Sequence, residues 1–238
     1  MNPVDTPALT AEQMIEVDRA MIEDYHIELI QMMENAGRNF ATLARRWLDG
    51  EVKDKNVIAL CGSGNNGGGG MVAARHLHNW GAEVILALTK PVDEYRGVPA
   101  HQLDVLDRMK IPIADFASLP SNPDLILDAL IGYNLNGAPR GVAAELIRWA
   151  NMQRAPILSL DTPSGLDVTS GQAHEPTIRV TATLTLALPK RGLLYSKAKR
   201  FVGKLYLADI SVPPKLDANM GIDVPHLFAE SEIVSIEA

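Results

Sequence analysis

The segment Gly62-Ser63-Gly64-Asn65-Asn66-Gly67-Gly68-Gly69-Gly70 limits the folds open to this chain more than any other. The apolar run Asn56-Val57-Ile58-Ala59-Leu60 and Cys61 precede it, and Met71-Val72-Ala73-Ala74-Arg75-His76-Leu77 follows. The first run reads as a buried strand and the second as a helix. Six glycines within nine residues let backbone N–H groups come close to a ligand. That ligand is expected to be anionic, because a helix N-terminus carries partial positive charge. The segment therefore predicts a strand-turn-helix unit beside a phosphate-bearing small molecule.

Two familiar loops can be tested against it. Gly62, Gly64 and Gly67 match the G-x-G-x-x-G spacing of dinucleotide sites. The acid that should close the second strand is missing, since Glu83-Val84-Ile85-Leu86-Ala87-Leu88-Thr89 runs into Lys90. A lysine there could meet a phosphate instead. A P-loop is excluded, because no Gly-Lys-Ser/Thr follows the glycines. The amides of Asn65 and Asn66 are the unusual feature: they can bind a ribose, an amide or a hard cation.

Strands are expected at 56–61, 83–89, 124–129, 156–161, 182–188 and 204–210, with helices at about 68–80, 98–109, 141–153 and 224–229. Thr10 with Gln13 forms a capping-box signature for a helix from Ala11 to about Tyr25. A second helix is expected over about 27–47. Leu125-Ile126-Leu127 and Ile157-Leu158-Ser159-Leu160 are continuous, as central parallel strands covered on both faces should be. The last two strands alternate Thr and Leu and are expected at an edge, as an antiparallel pair. The pattern is one doubly wound α/β domain, mostly parallel, with a helical extension over about 8–48, a core over about 55–212 and a tail over 213–238. A chain of 238 residues that is 47% hydrophobic can bury such a core.

Ligands of open parallel sheets bind at the carboxyl ends of the strands. There the chain places Asp128, Gly132-Tyr133-Asn134-Leu135-Asn136-Gly137, Asp161 and Ser164, and Pro189-Lys190. Asn66, Asp128 and Ser164 are hard oxygen donors, too weak a cage for zinc and suited to a monovalent or weakly held cation. Asp161 and Lys190 can act as acid and base. A net charge of −7 argues against nucleic acid or an anionic membrane as the partner. The single cysteine, Cys61, excludes an internal disulfide, fits a reducing compartment and reads as a small buried residue. No leader pattern and no apolar run of about 18 residues is present, so the cytoplasm is the expected location.

These blocks together resemble the YjeF N-terminal domain family of NAD(P)H-hydrate epimerases. Gly62 to Leu77 is similar to its G-x-G-N-N-G-G-D-G-x-V-A-A-R-H-L motif. Leu127-Asp128-Ala129-Leu130-Ile131-Gly132 and Leu160-Asp161-Thr162-Pro163-Ser164-Gly165-Leu166-Asp167 are similar to its second and third motifs. Leu9 to Met14, Met33 to Gly37, Leu188 to Leu193 and Ala208 to Ile210 look like its flanking elements. The resemblance implies a Rossmann-like three-layer α/β/α sandwich, a homodimer, and epimerisation of the R and S forms of hydrated NADH or NADPH. That step feeds an ADP- or ATP-dependent dehydratase. By position, Asn66, Asp128 and Ser164 would bind one potassium ion (K+) per subunit. Asn65, Asn66, Gly67, Gly68, Gly69, Gly132, Tyr133, Asn134, Leu135, Asn136, Gly137, Ala138 and Asp161 would contact the hydrated nucleotide. Asp161 would do the acid–base work, with Lys190 stabilising charge or relaying a proton. Gly69 replaces the aspartate of G-G-D-G, and Thr181 stands where relatives often carry Asp. Two functions remain compatible with these residues: an active epimerase, and a non-catalytic nucleotide-binding or scaffold module of the same fold, which Gly69 favours.

Overall fold

The computed structural model describes residues 6–224 and 226–236. Seven strands form one sheet in the order β2-β1-β3-β4-β5-β6-β7. They are β1 (Asn56–Cys61), β2 (Glu83–Leu88), β3 (Leu125–Ala129), β4 (Ile157–Leu160), β5 (Ala182–Leu186), β6 (Lys204–Ala208) and β7 (Ile233–Ser235). The helices are α1 (Ala11–Glu23), α2 (Leu29–Trp47), α3 (Asn65–Asn79), α4 (Gly97–Arg108), α5 (Gly141–Met152), α6 (Lys199–Val202) and α7 (Pro214–Asn219).

The strand side chains alternate between two cores. Val57, Ala59 and Cys61 pack with Phe40, Met71 and Leu77 of α2 and α3. Ile58 and Leu60 pack with Leu146, Ile147 and Ala150 of α5 on the other face. A third apolar cluster joins Met14, Val17 and Met21 of α1 to Leu205 and Leu207 of β6. The capping box at Thr10 and Gln13 is formed in both directions.

Three expectations are corrected. β5 and β6 are not an antiparallel edge: β5 runs parallel to β4 and to β6, and the antiparallel edge strand is β7 on β6. The threonines that mimic a solvated face are buried instead; Thr183 Oγ1 donates to Val202 O. The helix expected at about 224–229 is not formed among the described residues of that stretch, and Pro225 lies outside them; α7 ends before it, at Asn219. The third correction concerns the glycine run. α3 begins at Asn65 rather than at about 68, so Gly67 joins Gly68 to Gly70 inside the helix, and all four are buried. A Cβ on Gly67 would lie 1.8 Å from Gly62 O, and one on Gly70 would lie 2.4 Å from the Cβ of Ala129. Their missing side chains seat α3 hard against the sheet, at the usual helix cost of about 1 kcal/mol per glycine.

Candidate active site

β1 neighbours both β2 and β3, so successive connections leave it in opposite directions. This is the topological switch point, where the ends of adjacent strands open a crevice. A cavity of about 460 Å³ lies there. Its wall includes Gly64, Asn65, Asn66 and Gly69 after β1, and Leu130 to Asn134 after β3. Leu160 at the end of β4 and Asp161 after it, and Met14, Asp18, Met32 and Met33 of α1 and α2, complete most of the enclosure.

The most constrained group on this wall is Asp161. Its φ is +65°, a left-handed backbone that Asp tolerates better than most residues. Its N–H donates to Leu184 O at 2.7 Å, which ends the β4 ladder and turns the side chain toward the cavity. Asp161 Oδ2 accepts from Tyr133 N at 3.1 Å, and Oδ1 accepts from Lys190 Nζ at 2.5 Å. Lys190 is wholly buried and also donates to Leu186 O at 3.0 Å. A second left-handed residue, Ala187 at φ +60°, turns the chain so that Lys190 returns beneath the end of β5. Leu9 then pairs with Lys190 as an isolated parallel bridge, tying the approach to α1 to the same point.

Asp128 sits one strand away in a different setting. Register places Leu60, Asp128, Ser159 and Thr183 side by side across four strands. The carboxylate is fully buried and accepts from Ser164 Oγ at 2.6 Å, Ser164 N at 2.9 Å and Ser159 Oγ at 2.8 Å. Burial raises its pKa, and the bonds from Ser164 and Ser159 oppose that rise. All these partners are neutral, so the charge has no counter-ion among them. Asn66 Nδ2 is buried without a hydrogen-bond partner. A half-turn of that amide presents an oxygen in its place. Asp128 and Ser164 are bonded to each other, while Asn66 lines the cavity; all three can offer hard oxygen donors. Among the described residues no group of three His, Cys, Asp or Glu could hold a metal ion.

Asp18 was not singled out from the sequence. It lines the cavity and accepts from Tyr133 Oη at 2.5 Å. Burial raises its pKa, while the Tyr133 hydrogen bond and Lys190 lower it and Asp161 raises it. A signal was present: Asp18 lies four residues after Met14 and three before Met21, inside the apolar stripe of α1. A polar residue there is either costly or useful.

The remaining residues named from the sequence fall in three places. Asn65, Asn66, Gly69, Gly132, Tyr133 and Asn134 line the cavity; Gly67 and Gly68 are packed behind it within α3. Leu135, Asn136, Gly137 and Ala138 continue the loop beyond the cavity wall. Lys90 is exposed, off this wall, and 3.7 Å from Glu94. Thr181 lies at the opposite end of the strands, where its Oγ1 accepts from Ile157 N at 3.1 Å. Cys61 is buried, with its thiol pushed up to about 12 by burial, and is no nucleophile.

Gly69 is the informative departure. A Cβ there would lie 2.7 Å from Leu160 Cδ2, the end of a flexible side chain. The isobutyl group of Leu160 occupies the space that a side chain at 69 would enter.

A parallel α/β sheet with a small-molecule cavity at its switch point, furnished with a buried Asp–Lys pair, defines a Rossmann-like ligand-binding protein. The chain belongs to the family described as YjeF-related protein N-terminus, whose profile matches residues 29–192. It is 42% identical to an NAD(P)H-hydrate epimerase of Dehalogenimonas lykanthroporepellens, over 90% of this chain and 86% of that protein. It is 34% identical to one from Rhodopirellula baltica, over 91% of this chain and 89% of that protein. It also matches the bifunctional NAD(P)H-hydrate repair enzyme Nnr of Moorella thermoacetica, at 36% identity over 88% of this chain and 41% of the enzyme. The crystal structure of the yeast protein YNL200c shares the fold, with a TM-score of 0.82 at 24% identity over 97% of this chain and 100% of that one.

Proposed function

We propose that this chain epimerises the R and S forms of hydrated NADH and NADPH. The observation that carries the reading is the buried Asp161–Lys190 pair at the end of β4, whose aspartate lines a cavity of about 460 Å³. That volume falls within the ~300–1,000 Å³ typical of small-molecule sites.

The chemistry follows from the substrate. A dihydronicotinamide contains an enamine, which protonates on carbon and then takes water at the carbon next to nitrogen. The hydrate is therefore a carbinolamine, and its stereocentre inverts when hydroxide leaves with nitrogen assistance and water returns to the other face. Each half-step needs a proton moved at oxygen. Asp161 exchanges it, and Lys190 fixes the carboxylate and balances its charge. The N-terminus of α3 at Asn65 and Asn66 receives the nucleotide phosphates. Asp128, Asn66 and Ser164 would hold a potassium ion, which would supply a counter-charge to the buried carboxylate. The enzyme works in the cytoplasm as a homodimer, upstream of an ADP- or ATP-dependent dehydratase.

The test is a coupled recovery assay. Mixed R and S NADPH hydrate is incubated with excess S-specific dehydratase, ATP and potassium, and absorbance of NADPH is followed. The R form should be recovered far faster with this chain than without it. Recovery at the spontaneous rate, with tight nucleotide binding, would instead support the non-catalytic module that Gly69 favours.

A further inference from the structure

Asp161, backed by the buried Lys190, accounts for only one wall of the cavity. The other carboxylate on its surface, Asp18, comes from α1 and is held end-on by Tyr133. Tyr133 spans the two acids: its N–H donates to Asp161 Oδ2 at 3.1 Å, and its hydroxyl donates to Asp18 Oδ2 at 2.5 Å. The two carboxylates thus stand at opposite ends of one tyrosine. The Lys190 ammonium lies 5.8 Å from the centre of that ring.

The placement of Asp18 is built. Leu9 N donates to Pro189 O at 2.8 Å, and Arg191 N donates to Leu9 O at 2.9 Å. Thr10 then caps α1, whose buried face carries Met14, Val17 and Met21 around Asp18. A helix clamped beside Lys190 at one end and bonded to Tyr133 at its middle presents a fixed acid, not a stray surface charge.

We infer that Asp18 and Tyr133 form a second proton-transfer pair of this site, serving the face of the hydrated ring opposite Asp161. This rests on the epimerase reading. Inverting a carbinolamine requires two faces to be served. On one face the C–O bond breaks as the ring nitrogen's lone pair forms C=N, and the departing hydroxyl takes a proton to leave as water. On the other face a water forms the new C–O bond, the C=N pair returns to nitrogen, and the water's proton is lost. One proton enters and one leaves, with no oxidant or reductant. Asp161 exchanges the proton on its face. On the other, Tyr133 Oη takes the proton from water as its own passes to Asp18, and the sequence runs backwards for the reverse epimer. The charged and titratable groups that face Asp18 are Tyr133, Lys190 and Asp161.

The test compares Asp18→Asn, Tyr133→Phe and the double variant with wild type, using purified R hydrate of NADPH and separating the epimers with time. Each single variant should lower kcat by about a hundredfold or more, the usual worth of a positioned acid or base, with KM little changed. The double variant should be no slower than either single one, because the two residues move one proton. One limb of the wild-type pH profile of kcat should vanish in Asp18→Asn. If Asp18→Asn fails to fold, Tyr133→Phe carries the test, through kcat and its pH limb. Normal kcat in both single variants, additive losses, or a loss confined to KM would each overturn the inference while leaving Asp161 in its role. Wild type at the spontaneous rate would overturn the epimerase reading itself and this inference with it.

Discussion

Asp128 and Asp161 are two buried aspartates at the ends of adjacent strands, only 3% or less exposed, in opposite settings. Asp128 faces hydroxyl and amide donors and no cation. Asp161 faces an ammonium and an open cavity. A buried charge is expensive unless it is paired. The first is therefore left without a counter-charge among its hydrogen-bond partners, whereas the second is paired from within and lines the cavity. On the proposed reading the difference separates a positioning carboxylate from a reacting one, although Asp128 lies near the end of β3 and Asp161 just after β4, in one sheet.

The largest effect should come from removing the reacting acid without emptying its place. Asp161→Asn should reduce epimerisation by about 10²–10⁴-fold; it keeps an oxygen for Lys190 Nζ but removes the counter-charge, so its melting temperature should also fall. Asp161→Ala is the poorer variant, because it also removes the oxygens that Lys190 Nζ and Tyr133 N bond. The comparison is next broken from the lysine side. Lys190→Ala strips a buried pair of one member and should cost about 3–5 kcal/mol in urea unfolding. The double variant Asp161→Asn/Lys190→Met should recover much of that stability and none of the activity.

Gly69→Asp, which puts in the aspartate of the G-G-D-G motif that the loop resembles, should destabilise by about 1–3 kcal/mol as Leu160 is forced aside. Adding Leu160→Val should relieve part of the cost, so the two changes are non-additive. If Gly69→Asp alone is neutral or stabilising, Leu160 is not the occupant of that space.

The smallest effect sharpens the Asp128 side. Potassium chloride, against the same concentration of tetramethylammonium chloride, should raise the wild-type melting temperature by a few degrees and leave Asp128→Asn unmoved. The pH dependence follows from the raised pKa of Asp128. A raised acid binds more protons in the folded state, so its ion-free cost is present above its folded pKa and is relieved as pH falls through that value. Without potassium, the melting temperature of wild type relative to Asp128→Asn should therefore rise as pH falls, and potassium should flatten that trend.

Local pattern made the parallel core legible. Ile58, Ile126 and Leu158 lie in strands buried on both faces, and such strands show as continuous apolar runs. The polar residues at their ends were legible for the same reason, since chain order alone sends them to one rim. The glycine run was misjudged in its bounds. Glycine signals a loop locally, and only the docking of α3 on Ala129 and on the end of β1 shows why a helix needs it. β7 was invisible because three residues carry no period, and its place depends on pairing with β6. Asp18 was passed over because an acid on a helix shared with Glu12, Glu16 and Glu23 reads as solvated surface. Only closure of α1 onto Tyr133 sets it apart from them.

The most direct test of the account is a time course with purified R hydrate of NADPH in potassium buffer, its epimers separated by chromatography. Wild type and Asp161→Asn are run at equal concentration, each checked for folding by its melting curve. The expected result is rapid approach to the R–S equilibrium with wild type and the spontaneous rate with Asp161→Asn. Equal rates for the two proteins would contradict the account: fast in both, Asp161 is not the reacting acid; spontaneous in both, the chain is not an epimerase.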